Sequence, residues 1–293
     1  MSKTVLVTGA NGQLGSELNQ LSAYVCSLTF TFVTRNELDF SDPLAIEAWF
    51  DGKHFDVIVN CAAYTAVDKA ESEPDLAKII NTTAVATLSR LAKKSNSALI
   101  HISTDYVFNG KSFKPYVESD SLLPQSVYGQ TKLEGEQALM AVNPAKSIII
   151  RTSWVYSQFG NNFVKTMLRL GKERAELGVI YDQVGTPTSA RDLACAILAI
   201  IEHPALEDLK ATEIYHFSNE GVCSWYDFAK AIFEYSGINC FVKPIETKDY
   251  PTPANRPHYS LLNKAKIKQG FDLTIPYWKD SLKDCLDILN GNK

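Results

Sequence analysis

The chain has 293 residues, of which 45% are hydrophobic and 21% charged, a composition typical of a globular protein with a sizeable core. Its net charge is -4 and no run of Lys or Arg stands out, so nucleic acid is not an expected partner. No apolar run approaches the ~18 residues of a membrane-spanning helix, and no basic leader precedes the first strand, which favours a cytoplasmic protein. The six cysteines show no CxxC or metal-ligand spacing and are expected to be buried thiols in a reducing compartment.

The first predicted strand runs straight into a glycine-rich turn. Thr4 to Thr8 is a short β-branched run; Gly9, Gly12 and Gly15 follow at once, and a helical pattern comes next. Glycine lets the backbone turn tightly and approach a pyrophosphate, whose charge then meets the start of the helix. The alternative is an ordinary glycine-rich turn between a strand and a helix. The position directly after the first strand favours a dinucleotide-binding site.

The second strand, predicted over Leu28 to Thr34, ends at Arg35, about twenty residues after the last glycine. An acidic residue at this point is typical of NAD binding, whereas an arginine can pair with the 2′-phosphate of NADP. An exposed arginine at a strand end is the alternative. We therefore expect NADPH as the cofactor, with NADH also used, and we expect Asp39 in the next loop to face the adenosine.

Two further strands are predicted to end at the same edge of a parallel sheet. Asp56 to Asn60 leads into the small residues of 61–65, against which a nucleotide can lie. Ala98 to Ser103 leads into Thr104 and Asp105. Because open α/β sheets bind ligands at the carboxyl ends of their strands, this hydroxyl and this carboxylate are expected to face a substrate.

Two helices accompany these strands. The first is predicted over Pro74 to Lys94 and carries Asn81, which is either a satisfied core amide or a brace for a neighbouring loop. The second, over about Ser126 to Met140, carries Tyr128 and Lys132 on one face, about one turn apart. A neighbouring ammonium is expected to lower the pKa of the phenol towards the working range of an acid catalyst. Such pairs also occur by chance on solvated helices, but this helix follows the fourth strand, which favours catalysis.

The simple alternation of strands and helices breaks after a fifth strand, predicted over Ser147 to Thr152. We predict an α/β fold: a doubly wound parallel sheet of the Rossmann type with a smaller α+β domain that binds the substrate. The dinucleotide-binding domain is predicted to span 1–152 and 189–222. The sugar-nucleotide-binding domain is predicted to span 153–188 and 223–293.

Several stretches carry a resemblance to a known family. They are Thr8-Gly9-x-x-Gly12-Gln13-Leu14-Gly15, Ser103-Thr104-Asp105-Tyr106-Val107-Phe108 and Tyr128-x-x-x-Lys132, together with 62–71, 151–156, 161–163, 182–188 and 250–257. With these motifs the chain resembles the extended short-chain dehydrogenase/reductases and, within that superfamily, the dTDP-4-dehydrorhamnose reductase family. The resemblance covers most of the chain, from the first strand to about residue 262.

The resemblance implies reduction by NADPH or NADH of a dTDP-linked 4-keto-6-deoxyhexose, dTDP-4-dehydro-beta-L-rhamnose, to dTDP-L-rhamnose for a cell-surface polysaccharide. Tyr128 would donate the proton, Lys132 would hold the nicotinamide ribose and lower the tyrosine pKa, and Thr104 would hydrogen-bond the carbonyl oxygen. The implied cofactor contacts are Gly9, Gly12, Gln13, Leu14, Gly15, Arg35, Asp39, Phe40, Ala62, Ala63, Tyr64 and Thr65, besides Tyr128 and Lys132.

Three more residues complete the implied site. Asp105 and Trp154 would line the sugar pocket, and Arg256 would contact the substrate diphosphate; a core aromatic and a surface salt bridge are the respective alternatives for Trp154 and Arg256. Some relatives dimerise through a metal held by glutamates on the helix that begins here at Ala190. Because Arg191 stands in that stretch, no metal is predicted, and the chain is expected to be a monomer or a homodimer.

Two other interpretations are compatible with these motifs. A non-catalytic NADP-binding regulatory subunit, such as the beta-subunit of methionine adenosyltransferase, is similar in fold and keeps many of them. A reductase of another nucleotide-linked 4-ketosugar would use the same catalytic groups. Epimerases of the superfamily usually carry small Ser or Ala residues where this chain has 104–108, which argues against that reaction. The presence of Thr104, Tyr128 and Lys132 favours an enzyme.

Overall fold

The computed structural model describes residues 2–291. In the first half of the chain, strands alternate with helices: β1 (Lys3–Thr8), α1 (Gln13–Ser22), β2 (Leu28–Val33), α2 (Pro43–Phe50), β3 (Val57–Asn60), α3 (Val67–Ala70), α4 (Pro74–Lys78), α5 (Ala84–Ser95), β4 (Ala98–Thr104), α6 (Val127–Val142) and β5 (Ile148–Thr152). The second half is less regular: β6 (Val155–Tyr156), α7 (Phe163–Glu173), β7 (Glu176–Ile180), β8 (Val184–Gly185), β9 (Thr188–Ser189), α8 (Ala190–Glu202), α9 (Pro204–Asp208), β10 (Glu213–His216), β11 (Cys223–Ser224), α10 (Trp225–Ser236), β12 (Phe241–Ile245), α11 (Ala265–Phe271) and α12 (Trp278–Leu289).

A parallel sheet forms the centre of the described chain, with strands in the order β2-β1-β3-β4-β5-β10. Successive residues of β1 pack on opposite faces, since Val5 belongs to one hydrophobic cluster and Leu6 to another. Burial on both faces explains why the strands read as continuous apolar runs. The strand order reverses between β1 and β3, and in open α/β sheets a crevice for ligands lies at such a reversal. The predicted doubly wound parallel sheet is confirmed.

A third hydrophobic cluster contains no residue of the central sheet. It is built from α7, α10 and α12 with β7 and β12, which pair in parallel with each other. In contrast, Ile267 and Phe271 of α11 pack on the cluster of the sheet, although this helix lies within the segment predicted to bind the sugar nucleotide. The two-domain division stays a prediction, and its outermost positions, 1 and 292–293, lie outside the described residues.

The prediction of a single regular helix over Pro74 to Lys94 is wrong. A π-helical turn, Ile79–Thr83, separates α4 from α5 and carries Asn81. The Asn81 side chain accepts from Tyr64 N at 2.9 Å, donates to Tyr64 O at 3.1 Å and donates to Thr131 Oγ1 at 3.2 Å. Asn81 is therefore both a satisfied buried amide and a brace for the loop after β3, and the widened turn accompanies that arrangement.

The prediction of uniformly buried cysteines is wrong. Cys223, Cys240 and Cys285 are buried, whereas Cys26 and Cys195 are exposed; all of them are free thiols. Cys26 lies in the connection between α1 and β2, and Cys195 lies on the solvent face of α8. Within residues 2–291, no helix is both long enough and apolar enough to cross a membrane.

Candidate active site

A cavity of about 1020 Å³ opens where the central strands end. Its wall includes Gly9 after β1, Ala62 after β3, Thr104 at the end of β4 and Trp154 after β5. Parallel strands bring their carboxyl ends to one edge, which is why residues so far apart in the chain meet here. The volume lies at the upper end of the range for ligand sites, consistent with a site for two ligands side by side.

Nearly all of the predicted site residues lie in the wall of this cavity. They are Gly9, Gly12, Gln13, Leu14, Arg35, Asp39, Phe40, Ala62, Ala63, Tyr64, Thr65, Thr104, Asp105, Tyr128, Lys132, Trp154 and Arg256. Gly15 is the exception. A Cβ at Gly15 would lie 2.4 Å from Gly9 O, so this glycine allows α1 to pack closely on the turn rather than forming part of the cavity wall.

The glycine turn has the geometry of a cradle for an anion. Gly9 has a φ of +66°, and a Cβ there would lie 2.8 Å from Ala62 N, so only glycine fits. Helix α1 begins after Gly12 with no side-chain cap and no acidic residue in its first turn, which leaves its amide dipoles available to a negative ligand. Gln13 accepts a hydrogen bond from Asn162 Nδ2 at 2.9 Å and so ties the turn to the second half of the chain.

Helix α6 starts against the turn that follows β4. Ser126 caps it by accepting from Gly129 N at 3.2 Å. A Cβ at Gly129 would lie 2.4 Å from Tyr106 O, so glycine allows the helix to approach this turn. The ring of Tyr128 then meets the ring of Tyr106 edge to face, with centroids 5.5 Å apart. The local sequence of α6 thereby sets the position of the Tyr128 phenol.

The protonation of Tyr128 differs from the sequence-based expectation. Burial raises the pKa of the Tyr128 phenol well above its usual value, the neighbouring Thr104 hydroxyl opposes the rise, and the Asp105 carboxylate adds to it. The predicted lowering of this pKa by Lys132 is wrong in this arrangement, because burial of the phenol outweighs the other effects. Tyr128 is therefore protonated throughout the neutral range, which is the form that a proton donor needs.

The ammonium of Lys132 points towards β4. Its Nζ donates to Ile102 O at 2.6 Å and lies 3.2 Å from His101 Nε2. Burial lowers the pKa of Lys132 to about 8, and the carboxylate of Glu136 on the same helix acts in the opposite direction. Lys132 therefore lines the cavity with an amine whose charge is easily lost.

Asp105 places a buried carboxyl beside Thr104. The Thr104 hydroxyl donates to Asp105 Oδ1 at 3.0 Å, while Oδ2 has no hydrogen-bond partner. Burial raises the pKa of the Asp105 carboxyl to about 6, against hydrogen bonds that lower it. A buried carboxyl with a free oxygen at the wall of a cavity is suited to accept a hydrogen bond from a ligand hydroxyl.

Two ion pairs lie on the cavity wall. Arg35, whose side chain is 70% exposed, lies 3.6 Å from Asp39. Arg256 Nη2 donates to Asp68 Oδ2 at 2.6 Å, and its Nη1 lies 3.4 Å from the Tyr106 hydroxyl. Each arginine forms a salt bridge and also lines the cavity, and its contact with a ligand phosphate stays a prediction.

An aromatic wall closes another part of the cavity. Trp154, with a left-handed φ of +50°, stacks on Trp225 with ring centroids 3.6 Å apart, and Phe163 packs against Trp225. Trp225 is the first residue of α10 and belongs to no recognisable motif, so it was not predicted from the sequence as a site residue. Asp68 and Tyr106 were also missed, although both fall inside the matched stretches 62–71 and 103–108, where the signal was present.

The doubly wound sheet, the glycine turn at its reversal and the Tyr128–Lys132 helix beside Thr104 define an extended short-chain dehydrogenase/reductase. Residues 3–290 match the family described as RmlD substrate binding domain. The chain belongs to the dTDP-4-dehydrorhamnose reductase family.

Relatives in sequence and structure agree on this family. The chain is 44% identical over 294 residues to a dTDP-4-dehydrorhamnose reductase of Escherichia coli K12, covering 97% of each chain. The crystal structure of a dTDP-4-dehydrorhamnose reductase from Clostridium acetobutylicum superposes with a TM-score of 0.91 at 43% identity, over 98% of this chain and 99% of that one. The enzyme from Bacillus anthracis, solved in complex with NADP, gives a TM-score of 0.90 at 37% identity, with coverage of 98% and 99%.

Proposed function

We propose that this protein reduces the 4-keto group of dTDP-4-dehydro-beta-L-rhamnose to give dTDP-L-rhamnose, with NADPH as the hydride donor. The observation that carries the proposal is the position of Tyr128, which lines the same cavity as Thr104 and the glycine turn after β1. The names of the relatives and the NADP in the Bacillus anthracis structure support the substrate and the cofactor.

The residues on the cofactor side fit a dinucleotide. The cradle of Gly9 and Gly12 at the start of α1 suits a diphosphate, and the backbone at Ala62 lies close enough that a side chain on Gly9 would collide with it. We assign Arg35 to the adenosine 2′-phosphate, since its exposed pair with Asp39 is weak and can be exchanged. When bound, NADPH supplies the hydride.

The reacting oxygen is handled by the protein's own groups. The Thr104 hydroxyl accepts from Tyr106 N and donates to Asp105 Oδ1 in this structure. When the substrate binds, it turns its one proton from Asp105 to the carbonyl oxygen. Tyr128 donates its proton to that oxygen as negative charge develops on it, which is where a donor accelerates the reaction. Lys132 holds the nicotinamide ribose. Thr104 and Lys132 are buried and Tyr128 is half-buried, which limits competing water and strengthens each hydrogen bond.

The sugar nucleotide is assigned to the remaining walls. We propose that Asp105 accepts from a sugar hydroxyl, that Trp154 packs on the sugar ring, and that Arg256 leaves Asp68 in part to bind the substrate diphosphate. We assign most of this side to the segments 153–188 and 223–291, and the cofactor side to 2–152 with 189–222.

The test is NADPH oxidation by the purified protein with 4-dehydro-beta-L-rhamnose, supplied as its dTDP and its UDP form. We expect substrate-dependent loss of NADPH absorbance, faster with the dTDP form. Turnover no higher than the blank with either correctly made substrate would contradict the proposal and would favour a non-catalytic NADP-binding subunit.

The role of Arg35 makes a separate prediction. Arg35→Ala should raise KM for NADPH by ~10-fold or more while leaving KM for NADH nearly unchanged, because only NADPH carries the 2′-phosphate. The comparison is kcat/KM for the two cofactors in both proteins, with Arg169→Ala, an exposed arginine on α7, as the control. An unchanged NADPH-to-NADH ratio would remove Arg35 from cofactor selection.

A further inference from the structure

A buried line of polar side chains crosses the sheet and ends on Lys132. Thr8 of β1, Asn60 of β3 and His101 of β4 are direct neighbours in the register of adjacent strands. None of them, nor Lys132, is more than 2% exposed. Thr8 Oγ1 lies 2.7 Å from Asn60 Oδ1, Asn60 Nδ2 lies 3.0 Å from His101 Nδ1, and His101 Nε2 lies 3.2 Å from Lys132 Nζ. Polar groups so deeply buried have to satisfy one another.

The donors around Asn60 decide which way its amide faces. The backbone N–H of Ala62 can only donate, and it points at Asn60 Oδ1 from 3.2 Å, as the Thr8 hydroxyl does from 2.7 Å. The amide nitrogen therefore faces His101 and donates to Nδ1. Burial and the nearby Lys132 hold the pKa of His101 well below its usual value, so the ring is neutral. A neutral ring that accepts at Nδ1 carries its proton on Nε2.

This tautomer has a consequence for Lys132. The Nε2–H of His101 points at Nζ, and an ammonium has no lone pair to accept it, whereas a neutral amine has one. Ile102 O, at 2.6 Å, accepts a hydrogen bond from either form. The carboxylate of Glu136 on α6 favours the charged form of Lys132, but it is itself paired with Arg151 of β5 at 2.7 Å.

We propose that His101 is a positioning residue for Lys132. Asn60 holds the His101 ring with its proton on Nε2, and the ring then fixes the Lys132 amine at the cavity wall and lowers its proton affinity. The proposal deepens the proposed function, since it rests on Lys132 being a working part of the site. One continuous set of hydrogen bonds also links Lys132 to Thr8, which precedes the glycine turn, and to Ala62, which packs against Gly9.

The first test reads the tautomer directly. In nitrogen-15 spectra of the full-length labelled protein at pH 7, we expect His101 to be neutral with the proton on Nε2. The same samples report the titration of Lys132 Nζ, expected near pH 8. A neutral ring with its proton on Nδ1 would overturn the proposal, since Nε2 would then accept from the ammonium and strengthen its charge. No substrate or turnover enters these measurements, so their failure is distinct from a failure of the proposed function.

The second test changes His101. In His101→Gln the new amide is free to turn its oxygen towards Lys132, so the ammonium gains an acceptor and the Lys132 titration should move up by about one pH unit, a tenfold gain in proton affinity. His216→Gln is the matched control: His216 is equally buried, lies in β10 of the same sheet and contacts Tyr116 O instead. A titration that moves no more in His101→Gln than in His216→Gln would overturn the proposal.

A second variant keeps the test decisive if His101→Gln fails to fold. Asn60→Asp has nearly the same shape and still accepts from Thr8 and Ala62, but its carboxylate also accepts from His101. The His101 proton should therefore move to Nδ1, and the Lys132 titration should rise with it. A neutral His101 ring that keeps its proton on Nε2 and leaves Nδ1 bare in Asn60→Asp would show that Asn60 does not set the tautomer and would overturn the proposal.

Discussion

Tyr128→Phe should lower kcat by ~100-fold or more while the affinity for NADPH stays nearly the same. Burial keeps the Tyr128 phenol protonated, and the hydroxyl is the only group that the substitution removes, so the loss is that of a positioned proton donor. The measurement is steady-state turnover together with cofactor binding by fluorescence titration. Equal falls in kcat and kcat/KM for the sugar would show that the hydroxyl acts in the transition state.

Tyr106→Phe is the matched control for this result. Tyr106 contacts the ring of Tyr128 in the same cavity, but its hydroxyl faces Arg256. Its loss should raise KM for the sugar nucleotide with kcat within ~10-fold of the wild type. If Tyr128→Phe kept more than a tenth of the wild-type turnover, the proton donor would have to be reassigned. Asp105, with its pKa raised to about 6, would then be the next candidate.

Glu136→Gln should lower the free energy of unfolding by ~3–5 kcal/mol, because it leaves a buried arginine without its counter-charge. Glu136 and Arg151 are 2% and 0% exposed. Arg151 donates from Nε at 3.0 Å and from Nη2 at 2.7 Å to the carboxylate, which also accepts from Ser103. The pair fastens α6, and with it Tyr128 and Lys132, to the strands that end at the site.

The loss is measured as the difference in free energy of unfolding between the variant and the wild type in urea, with the m-value expected to stay the same. Glu173→Gln is the control, since its partner Arg169 lies on the surface of α7 and such pairs contribute little, ~0.5 kcal/mol or less. The double variant Glu136→Leu with Arg151→Met should recover most of the stability, because it removes both charges together. A cost below ~1 kcal/mol for Glu136→Gln would show that the pair is not what fastens the helix.

The parts of the site that depend on local pattern could be predicted from the sequence. The Gly9 and Gly12 turn follows a strand and opens a helix, and this context is visible within a dozen or so residues. The Tyr128 and Lys132 pair follows from helical spacing, and its meeting with Thr104 follows from the rule that parallel strands end at one edge.

The parts of the site that depend on burial or on strand register could not be predicted from the sequence. The lowered phenol pKa was expected from spacing alone, but whether burial or the ammonium dominates depends on how deep Tyr128 lies. The contact of Asn60 with His101 requires the pairing of β3 and β4, and a shift by one residue would separate them. The pairing of β7 with β12 joins segments far apart in the chain, and Trp225 meets Trp154 only through the packing of α10.

The most direct test of the central claim follows the hydrogen itself. The wild-type protein is given the dTDP-4-keto sugar in ordinary water with NADPH that carries deuterium at both positions of its nicotinamide C4, and the sugar product is examined by NMR. We predict one deuterium at sugar C4, since the hydride comes from the cofactor and the proton from Tyr128 is delivered to oxygen. A reduced sugar with only protium at C4, or no reduced sugar at all, would contradict the account.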